Sequence, residues 1–562
     1  MEEKNLKTKK RKIIRGILKV LLVLVLLGIV IAILKIAPNY KNTDITGKTN
    51  VVINNNNITA HLKNDVYIEN ENIYMSKPDL ENFFDPDIYY EENYNQIITT
   101  YETNIANLYI GENKMKLNDQ EVEINGEVTL KDEIYYIPIS DLTSVYNIDI
   151  GYIKESDTVV IESIDREKIT AKATKNTNVK SMKKVLCRTV DKIKENDEFV
   201  IIEKNAGWVE VRTTNGKIGY IKENIIKEET KVREAVEQKT NTQKISLVWD
   251  YYSEYVNAPD RSGETFNGVN VVSPSFFVLE RLGKGEIIDN VGTAGIEYIN
   301  WAKEKGYKIW AMFSNNSMIE TTSQIMRDYE LREKTINNIV ELAEKYELDG
   351  INLDFENMYK EDKNLYTRFV IELYPRLKAR GMTLSVDVTA PDGGDTWSLC
   401  FDRHNIARNS DYIVFMAYDQ HGQSSTTAGS VAAYNWVEVN LNKFLGTQEE
   451  IEKEKLILGI PFYTRLWRET GEDVTSSVVD MKDVNNVLPG DIQREWLDDV
   501  KQNYIEYERN GSIYKMWIED IDSIRAKINL AREKEIAGVA FWAKGREDES
   551  VWDVVEEYIS EN

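Results

Sequence analysis

Residues 349–356 read DGINLDFE, and this stretch decides the fold that we predict for the C-terminal part of the chain. Polar and apolar side chains alternate along it: Asn352, Asp354 and Glu356 against Ile351, Leu353 and Phe355. Successive side chains of a strand point to opposite faces, so the three polar groups share one face. Polar groups inside a protein are costly unless they are used or hydrogen-bonded. We therefore expect a buried strand that carries functional groups at its C-terminal end.

Further apolar runs of similar length surround this strand. The eight predicted strands span 245–249, 269–273, 307–313, 350–355, 382–388, 412–417, 456–461 and 536–542. Predicted amphipathic helices span 294–305, 330–346, 362–379, 432–445 and 521–533. Continuous apolar runs are typical of parallel strands that are buried on both faces. Strands that alternate with helices in this number predict an α/β fold, a (β/α)₈ TIM barrel over 244–562.

Two connections of the predicted barrel are unusual. Residues 250–268, between the first two strands, show no helical pattern. Residues 462–515 are too long for a loop, and we predict that they form an inserted subdomain after strand seven.

The carboxylates of strand four suggest acid–base chemistry. Active sites of such barrels lie at the C-terminal ends of the strands, where Asp354 and Glu356 stand. Two carboxylates this close push their pKa values apart, so that one can stay protonated near neutral pH and act as a general acid. The alternative is that these groups only fill the barrel interior with satisfied hydrogen bonds.

The same stretch resembles the DGxDxDxE motif of glycoside hydrolase family 18, the chitinase-like family. Three more of the family's motifs follow in order: MAYD at 416–419, LGIPFY at 458–463 and GVAFW at 538–542. The resemblance covers 244–562. It implies hydrolysis of a glycan by substrate-assisted, retaining catalysis, one of the exceptions to the two-carboxylate scheme. It implies no cofactor and no metal.

The resemblance also implies a role for each matching residue. Glu356 is the general acid and base, and Asp354 holds the N–H of the substrate's 2-acetamido group. Tyr418 donates its hydroxyl to the acetamido oxygen. Trp542 forms an apolar floor under the sugar, and Asp419 braces the site.

Two departures separate this chain from the chitinases. Asn352 stands where the family has its middle aspartate, and we expect it to donate a hydrogen bond to Asp354. The strand-three SxGG is replaced by AMFSNN at 311–316. Both departures, and the tail WAKGREDESVW at 542–552, resemble the branch of spore cortex-lytic N-acetylglucosaminidases. That branch implies peptidoglycan, cut at N-acetylglucosamine, as the substrate.

Three more residues are candidate substrate contacts. Trp249 and Phe277 lie at the ends of strands one and two, and Asn315 follows strand three. For these positions, packing of the barrel is the competing interpretation.

The N-terminus predicts a membrane anchor. Residues 1–36 carry nine Lys or Arg and two Glu, and residues 13–36 are mostly apolar. A spanning helix needs about 20 apolar residues. Because the basic flank stays in the cytoplasm, we expect a single-pass protein of the cell membrane whose C-terminal domains are extracellular. The alternative is a signal peptide cleaved near residue 38.

Two small domains are predicted between the anchor and the barrel, after a linker over 37–48. Residues 49–165 resemble the N-terminal domain of copper amine oxidases, a small α+β stalk; this resemblance implies no copper. Residues 168–228 are β-rich and resemble a bacterial SH3-like domain. The resemblance rests on GWVEVR at 207–212 and NGKIGYI at 215–221, and it implies binding to the cell wall. A second linker spans 229–243.

Composition narrows the class of partner. The net charge of −24 argues against nucleic acid as a partner. Two Cys and three His leave little material for a disulfide framework or a metal site. We expect a membrane-anchored hydrolase of peptidoglycan or a related N-acetylglucosamine glycan. The alternatives are a chitinase and a non-catalytic glycan-binding protein of the envelope; no protein partner is predicted.

Overall fold

The protein is represented by a computed structural model that describes residues 19–23, 25, 47–236, 243–391 and 393–560. The described chain divides into two compact units. The first takes in residues 47–90, 95–99 and 106–236, and the second takes in the remainder from residue 91 onward.

The predicted anchor over 1–36 lies, apart from residues 19–23 and 25, outside the described residues. Within the described ranges, no helix has the length and apolar character needed to cross a membrane.

Eight parallel strands close into a barrel in the second unit. They are Ile245–Asp250, Val271–Pro274, Lys308–Ser314, Gly350–Asp354, Thr383–Val388, Tyr412–Met416, Leu456–Pro461 and Gly538–Trp542. Each pairs in parallel with the next, and the eighth pairs with the first. The predicted (β/α)₈ barrel is confirmed.

Helices surround the barrel. They are Gly292–Lys305, Ile319–Arg327, Tyr329–Lys345, Lys363–Lys378, Arg403–Arg408, Tyr434–Leu445, Ile521–Glu533 and Val551–Ser560. The first two strands are joined without an α-helix, and a short antiparallel pair, Phe277–Leu279 and Ile287–Asp289, follows the second. The sequence did not predict Arg403–Arg408, because six residues are too few to show a helical period.

Strand four packs as its alternation predicts. Ile351, Leu353 and Phe355 are fully buried. The Phe355 ring lies 6.0 Å from the ring of Tyr366 and 5.7 Å from that of Phe369, both on the helix Lys363–Lys378. The apolar face therefore points to the helices, and the polar face is left for the barrel interior.

An antiparallel sheet is inserted between strands seven and eight. Its five strands are Tyr463–Thr470, Asp473–Asp480, Glu495–Leu497, Gln502–Arg509 and Ser512–Ile518. A short helix, Val484–Val487, lies within it.

Residues 47–163 contain small sheets and two short helices. The strands are Asn50–Ile53, Asn56–Asn57, Tyr67–Glu69, Asn72–Ser76, Tyr89–Glu91, Gln96–Tyr101, Asn104–Tyr109, Lys114–Leu117, Gln120–Glu123, Thr129–Lys131, Ile134–Pro138, Ile148–Ile153 and Thr158–Ser163. The helices are Lys77–Phe83 and Thr143–Tyr146.

Residues 168–233 form one seven-stranded antiparallel sheet. Its strands are Lys168–Ala173, Thr177–Lys180, Thr189–Ile193, Glu198–Asn205, Trp208–Thr213, Ile218–Lys222 and Ile226–Arg233. The turn at Asn215-Gly216 joins two of them, with Gly216 at φ 72°, as the Asn-Gly hairpin signal predicts. The last strand continues to Arg233, inside the predicted linker, because it pairs with Lys168–Ala173.

Candidate active site

The C-terminal ends of the barrel strands surround a cleft of about 370 Å³. Five of the residues predicted from the sequence line it: Asp354, Glu356, Tyr418, Asp419 and Trp542. Strands four, six and eight bring them together from distant parts of the chain. The lining also includes residues that the sequence did not single out: Tyr251, Glu254, Arg281, Asp387, Trp397 and Tyr463.

Glu356 is held in place through its backbone. Its N–H donates to Asn315 Oδ1 at 3.0 Å, and its carbonyl oxygen accepts from Asn315 Nδ2 at 2.8 Å. Asn315 is itself buried and also donates to Thr322 Oγ1. These two hydrogen bonds fix the backbone at the end of strand four and leave the Glu356 carboxyl group facing the cleft.

Burial sets the protonation of the two strand-four acids. It raises the pKa of Asp354 from 3.8 to about 7. Burial, followed by the charges of Asp354 and Asp419, raises the pKa of Glu356 well above its ordinary value. Asp354 is 9% exposed, and its Oδ1 has no hydrogen-bond partner among the described residues. Glu356 can therefore hold a proton near neutral pH, as a general acid must.

Asn352 lies below these acids and does not bond to Asp354, which corrects the expectation from sequence. Its Oδ1 accepts from Trp249 Nε1 at 2.7 Å and from Ser273 Oγ at 3.2 Å. Its Nδ2 donates to Ser385 Oγ at 3.0 Å and to Asp387 Oδ1 at 2.7 Å. The amide thus uses both of its donors and both of its acceptor sites, which leaves none for Asp354.

Tyr418 and Asp419 follow strand six and face the acids. Asp419 has a positive φ of 56°, a conformation that Asp tolerates better than most residues. Its Oδ1 accepts a 2.7 Å hydrogen bond from the hydroxyl of Tyr463. Burial raises the pKa of the Tyr418 hydroxyl well above its ordinary value. Tyr418 therefore keeps its hydroxyl proton at neutral pH and can donate a hydrogen bond there.

Trp542 forms one wall of the cleft. Its ring lies 5.4 Å from that of Tyr251 and 5.7 Å from that of Trp249. A pyranose presents C–H groups on its faces, and an aromatic ring is a suitable surface for them. Tyr251 is exposed beside Trp542 and extends this surface.

Three predicted substrate contacts lie outside the lining of the cleft. Trp249 is buried inside the barrel and donates to Asn352. Phe277 is buried in the layer between strands and helices, with its ring stacked at 6.4 Å on Tyr346. Asn315 holds the Glu356 backbone. These three positions are corrected to packing and positioning roles, because their side chains are buried and are not part of the lining of the cleft.

Asp387 is the acid that the sequence reasoning missed. It belongs to strand five, is 1% exposed and lines the cleft. The signal was present: residues 383–388 read TLSVDV, and Ser385 and Asp387 alternate with apolar residues as the polar groups do in strand four. Period two therefore places Asp387 inside the barrel.

Comparison with known proteins gives matches for two parts of the chain. The family model described as glycosyl hydrolases family 18 matches residues 248–547, and the copper amine oxidase N-terminal domain model matches residues 47–161. The chain is 27% identical over 300 residues to the uncharacterized glycosylase YvbX of Bacillus subtilis, covering 51% of this chain and 84% of that protein. It is 25% identical over 242 residues to the cortical fragment-lytic enzyme of Bacillus anthracis, covering 41% of this chain and 54% of that protein.

Among solved structures, a chitinase from Chromobacterium violaceum ATCC 12472 matches with a TM-score of 0.50 and 21% identity. The match covers 57% of this chain and all of that one. At this identity the likeness shows the barrel fold alone.

Proposed function

This chain belongs to glycosyl hydrolases family 18, and from that premise we propose that it cleaves β-1,4 linkages at N-acetylglucosamine in cell-wall peptidoglycan. One observation carries the proposal. Glu356, Asp354 and Tyr418 converge in a single cleft beside the aromatic surface of Trp542. These are the groups that substrate-assisted hydrolysis of a 2-acetamido sugar needs.

The first half of the reaction breaks the glycosidic bond. Glu356 gives its proton to the glycosidic oxygen as the bond from that oxygen to the anomeric carbon breaks. The substrate's acetamido oxygen attacks the same carbon and forms an oxazolinium ring. Asp354 accepts the hydrogen bond of the acetamido N–H, and Tyr418 donates to the acetamido oxygen.

The second half restores the enzyme. Glu356, now a carboxylate, takes a proton from a water molecule, and the oxygen of that water attacks the anomeric carbon. The oxazolinium ring opens, and the product keeps the configuration of the substrate. Two inversions at one carbon explain the retention, and no protein nucleophile is needed.

The choice of peptidoglycan over chitin has two supports. Strand four carries Asn352 in place of the middle aspartate of DGxDxDxE, and a similar protein is named as a cortical fragment-lytic enzyme. A chitinase is the alternative within the same chemistry. The alternative of another class is a glycan-binding protein without activity; the presence of Glu356 in the cleft argues against it.

Mass spectrometry of digested peptidoglycan tests the proposal. Purified sacculi are treated with the detergent-solubilised full chain, and chito-oligosaccharides are treated in parallel. We expect fragments with N-acetylglucosamine at the reducing end. Reducing-end N-acetylmuramic acid would contradict the proposed bond, and cleavage of chito-oligosaccharides alone would favour a chitinase. The Glu356→Gln variant controls for a contaminating hydrolase.

The remaining domains complete the proposal: a membrane anchor over 1–36 and a wall-binding, SH3-like domain over 168–228. On the latter, Lys222 Nζ lies 3.8 Å from the centre of the Trp208 ring. Trp208 and Lys222 line a cleft of about 630 Å³ that also includes Lys180, Lys192 and Lys194. A basic, partly aromatic cleft suits the acidic polymers of a cell wall.

A further inference from the structure

Strands four and five place two acids side by side. Their parallel register pairs Asn352 with Ser385 and Leu353 with Val386. The next residue along strand four is Asp354, and two positions after Ser385 on strand five is Asp387. Neighbouring strands lie about 4.8 Å apart, and both side chains line the same cleft. The two carboxyl groups are therefore near neighbours in a buried site.

Asn352 is hydrogen-bonded to Asp387, one of the two acids, but does not neutralise the pair. Because the indole N–H of Trp249 can only donate, the oxygen of the Asn352 amide must face it. The amide nitrogen then faces Asp387 and donates to its Oδ1 at 2.7 Å. A neutral amide stabilises an oxygen acceptor without supplying a positive charge.

The described residues that line the cleft supply little positive charge to the two acids. The groups that face Asp387 are Asp354 and Glu356 from strand four, Tyr366 from the helix Lys363–Lys378, Tyr418 from the end of strand six, and Trp249 and Asn352 from the barrel interior. Among the described residues that line the cleft, Arg281 alone is positively charged. It is 56% exposed and bound to Glu254 at 2.5 Å.

The protonation of the pair follows from this environment. Acids this close resist simultaneous ionisation, especially when buried. Burial and then the charge of Asp354 raise the pKa of Asp387 well above its ordinary value, whereas burial raises the pKa of Asp354 to about 7. The pair thus loses its first proton near neutral pH and keeps its second.

We propose that Asp387 is a positioning residue that shares one proton with Asp354. It supplies from strand five a carboxyl group that strand four lacks, because Asn352 stands there in place of an aspartate. The inference rests on the proposed hydrolase function of the same cleft. When the substrate's acetamido N–H arrives, Asp354 must accept a hydrogen bond, and the one proton of the pair is then held by Asp387, the group that keeps its proton to higher pH. Above about pH 7 the pair then carries one negative charge, on Asp354, through the whole cycle.

An exchange of side chains between the two strands tests this inference. Asp387→Asn keeps the size and the polar contacts of the side chain but cannot hold the exchangeable proton. We expect kcat on peptidoglycan to fall by about 10²-fold with KM little changed, within the range of general acid–base effects. The acid limb of the pH profile should move to higher pH, because the ionised form of Asp354 loses the shared proton that stabilises it.

The double variant Asn352→Asp/Asp387→Asn returns a carboxyl group to the site from the other strand. It should recover much of the lost kcat and move the acid limb back. A wild-type rate and pH profile in Asp387→Asn, or a double variant no better than the single one, would overturn the proposal.

Infrared difference spectra of the substrate-free protein give a second readout. At about pH 9, with Glu356→Gln introduced into all three chains to remove the absorption of that acid, the wild type and the double variant should show a protonated-carboxyl absorption that Asp387→Asn lacks. Identical spectra for all three chains would also overturn the shared proton. If the wild type cleaves no glycan, the proposed function fails, and the spectra still decide this inference.

Discussion

Glu356 shows how a catalytic residue is placed by contacts that do not involve its side chain. The two hydrogen bonds from Asn315 hold its backbone, and the carboxyl group is left free to meet the substrate. A substitution of this side chain should therefore change the chemistry without changing the position of strand four.

Glu356→Gln should abolish turnover and keep glycan binding. The amide has the size of the acid but cannot give up a proton, so we expect a loss of at least 10²- to 10⁴-fold in kcat. Product release from peptidoglycan measures the rate, and co-sedimentation with sacculi measures binding. Near wild-type activity in this variant would show that another group is the acid.

Asp354 should make the stability of the protein depend on pH. Its pKa rises from 3.8 to about 7 on folding, so the folded chain binds a proton that the unfolded chain has released. The stabilisation is complete below about pH 4 and is lost as the pH rises through about 7. Asp354→Asn cannot ionise. As the pH rises from about 4 to about 7, the wild type should therefore lose stability that the variant keeps, and the Tm of the variant minus that of the wild type should increase. Parallel curves of Tm against pH would contradict the raised pKa.

At the scale of elements, a buried ion pair joins the inserted sheet to the helix that follows it. Glu519 comes directly after the strand Ser512–Ile518 and is fully buried. It accepts from Lys527 Nζ at 2.9 and 3.0 Å, from Ser523 Oγ at 2.7 Å and from Gln502 Nε2 at 2.5 Å. Lys527 and Ser523 belong to the helix Ile521–Glu533, so one carboxylate links both elements.

Lys527→Met should destabilise the barrel unit by about 3–5 kcal/mol, because it leaves the Glu519 charge buried without its cation. Denaturant unfolding measures the change in the free energy of unfolding. The matched control is Glu519→Gln/Lys527→Met, which removes both charges and should recover part of the loss. If the double variant is no more stable than the single one, the cost comes from packing and not from the unpaired charge.

Helices and strands differ in how well they could be predicted from the sequence. Barrel strands and long helices produce long apolar patterns, and Ile521–Glu533 was predicted with its observed bounds. The helices Ile319–Arg327, Arg403–Arg408 and Val551–Ser560 were missed. All three are shorter than the window of about 11 residues over which a helical period is recognised, and the second is shorter than two turns.

At the scale of the whole molecule, the charge is divided along the chain. Residues 1–36 carry seven more positive than negative charges, whereas the full chain carries −24. A basic segment before an apolar one stays in the cytoplasm. We therefore keep the prediction that the hydrolase domain is outside the cell.

Protease added to intact cells tests this topology. We expect it to digest the barrel and to leave a short, membrane-bound N-terminal fragment. Cells permeabilised before digestion are the control for access to the cytoplasm. A mature protein whose N-terminus lies near residue 38 would show cleavage of the segment instead.

The sequence by itself determined the barrel, its family and the acids of strand four, because alternation along a strand and motif order are local properties that can be read along one chain. Only the tertiary structure decided what Asn352 contacts, that Trp249 and Phe277 are packing residues, and that Asp387 stands beside Asp354. Those facts depend on the register between strands four and five and on which way side chains from distant strands point. Such contacts join residues that are far apart in the chain, so no pattern within a single segment records them.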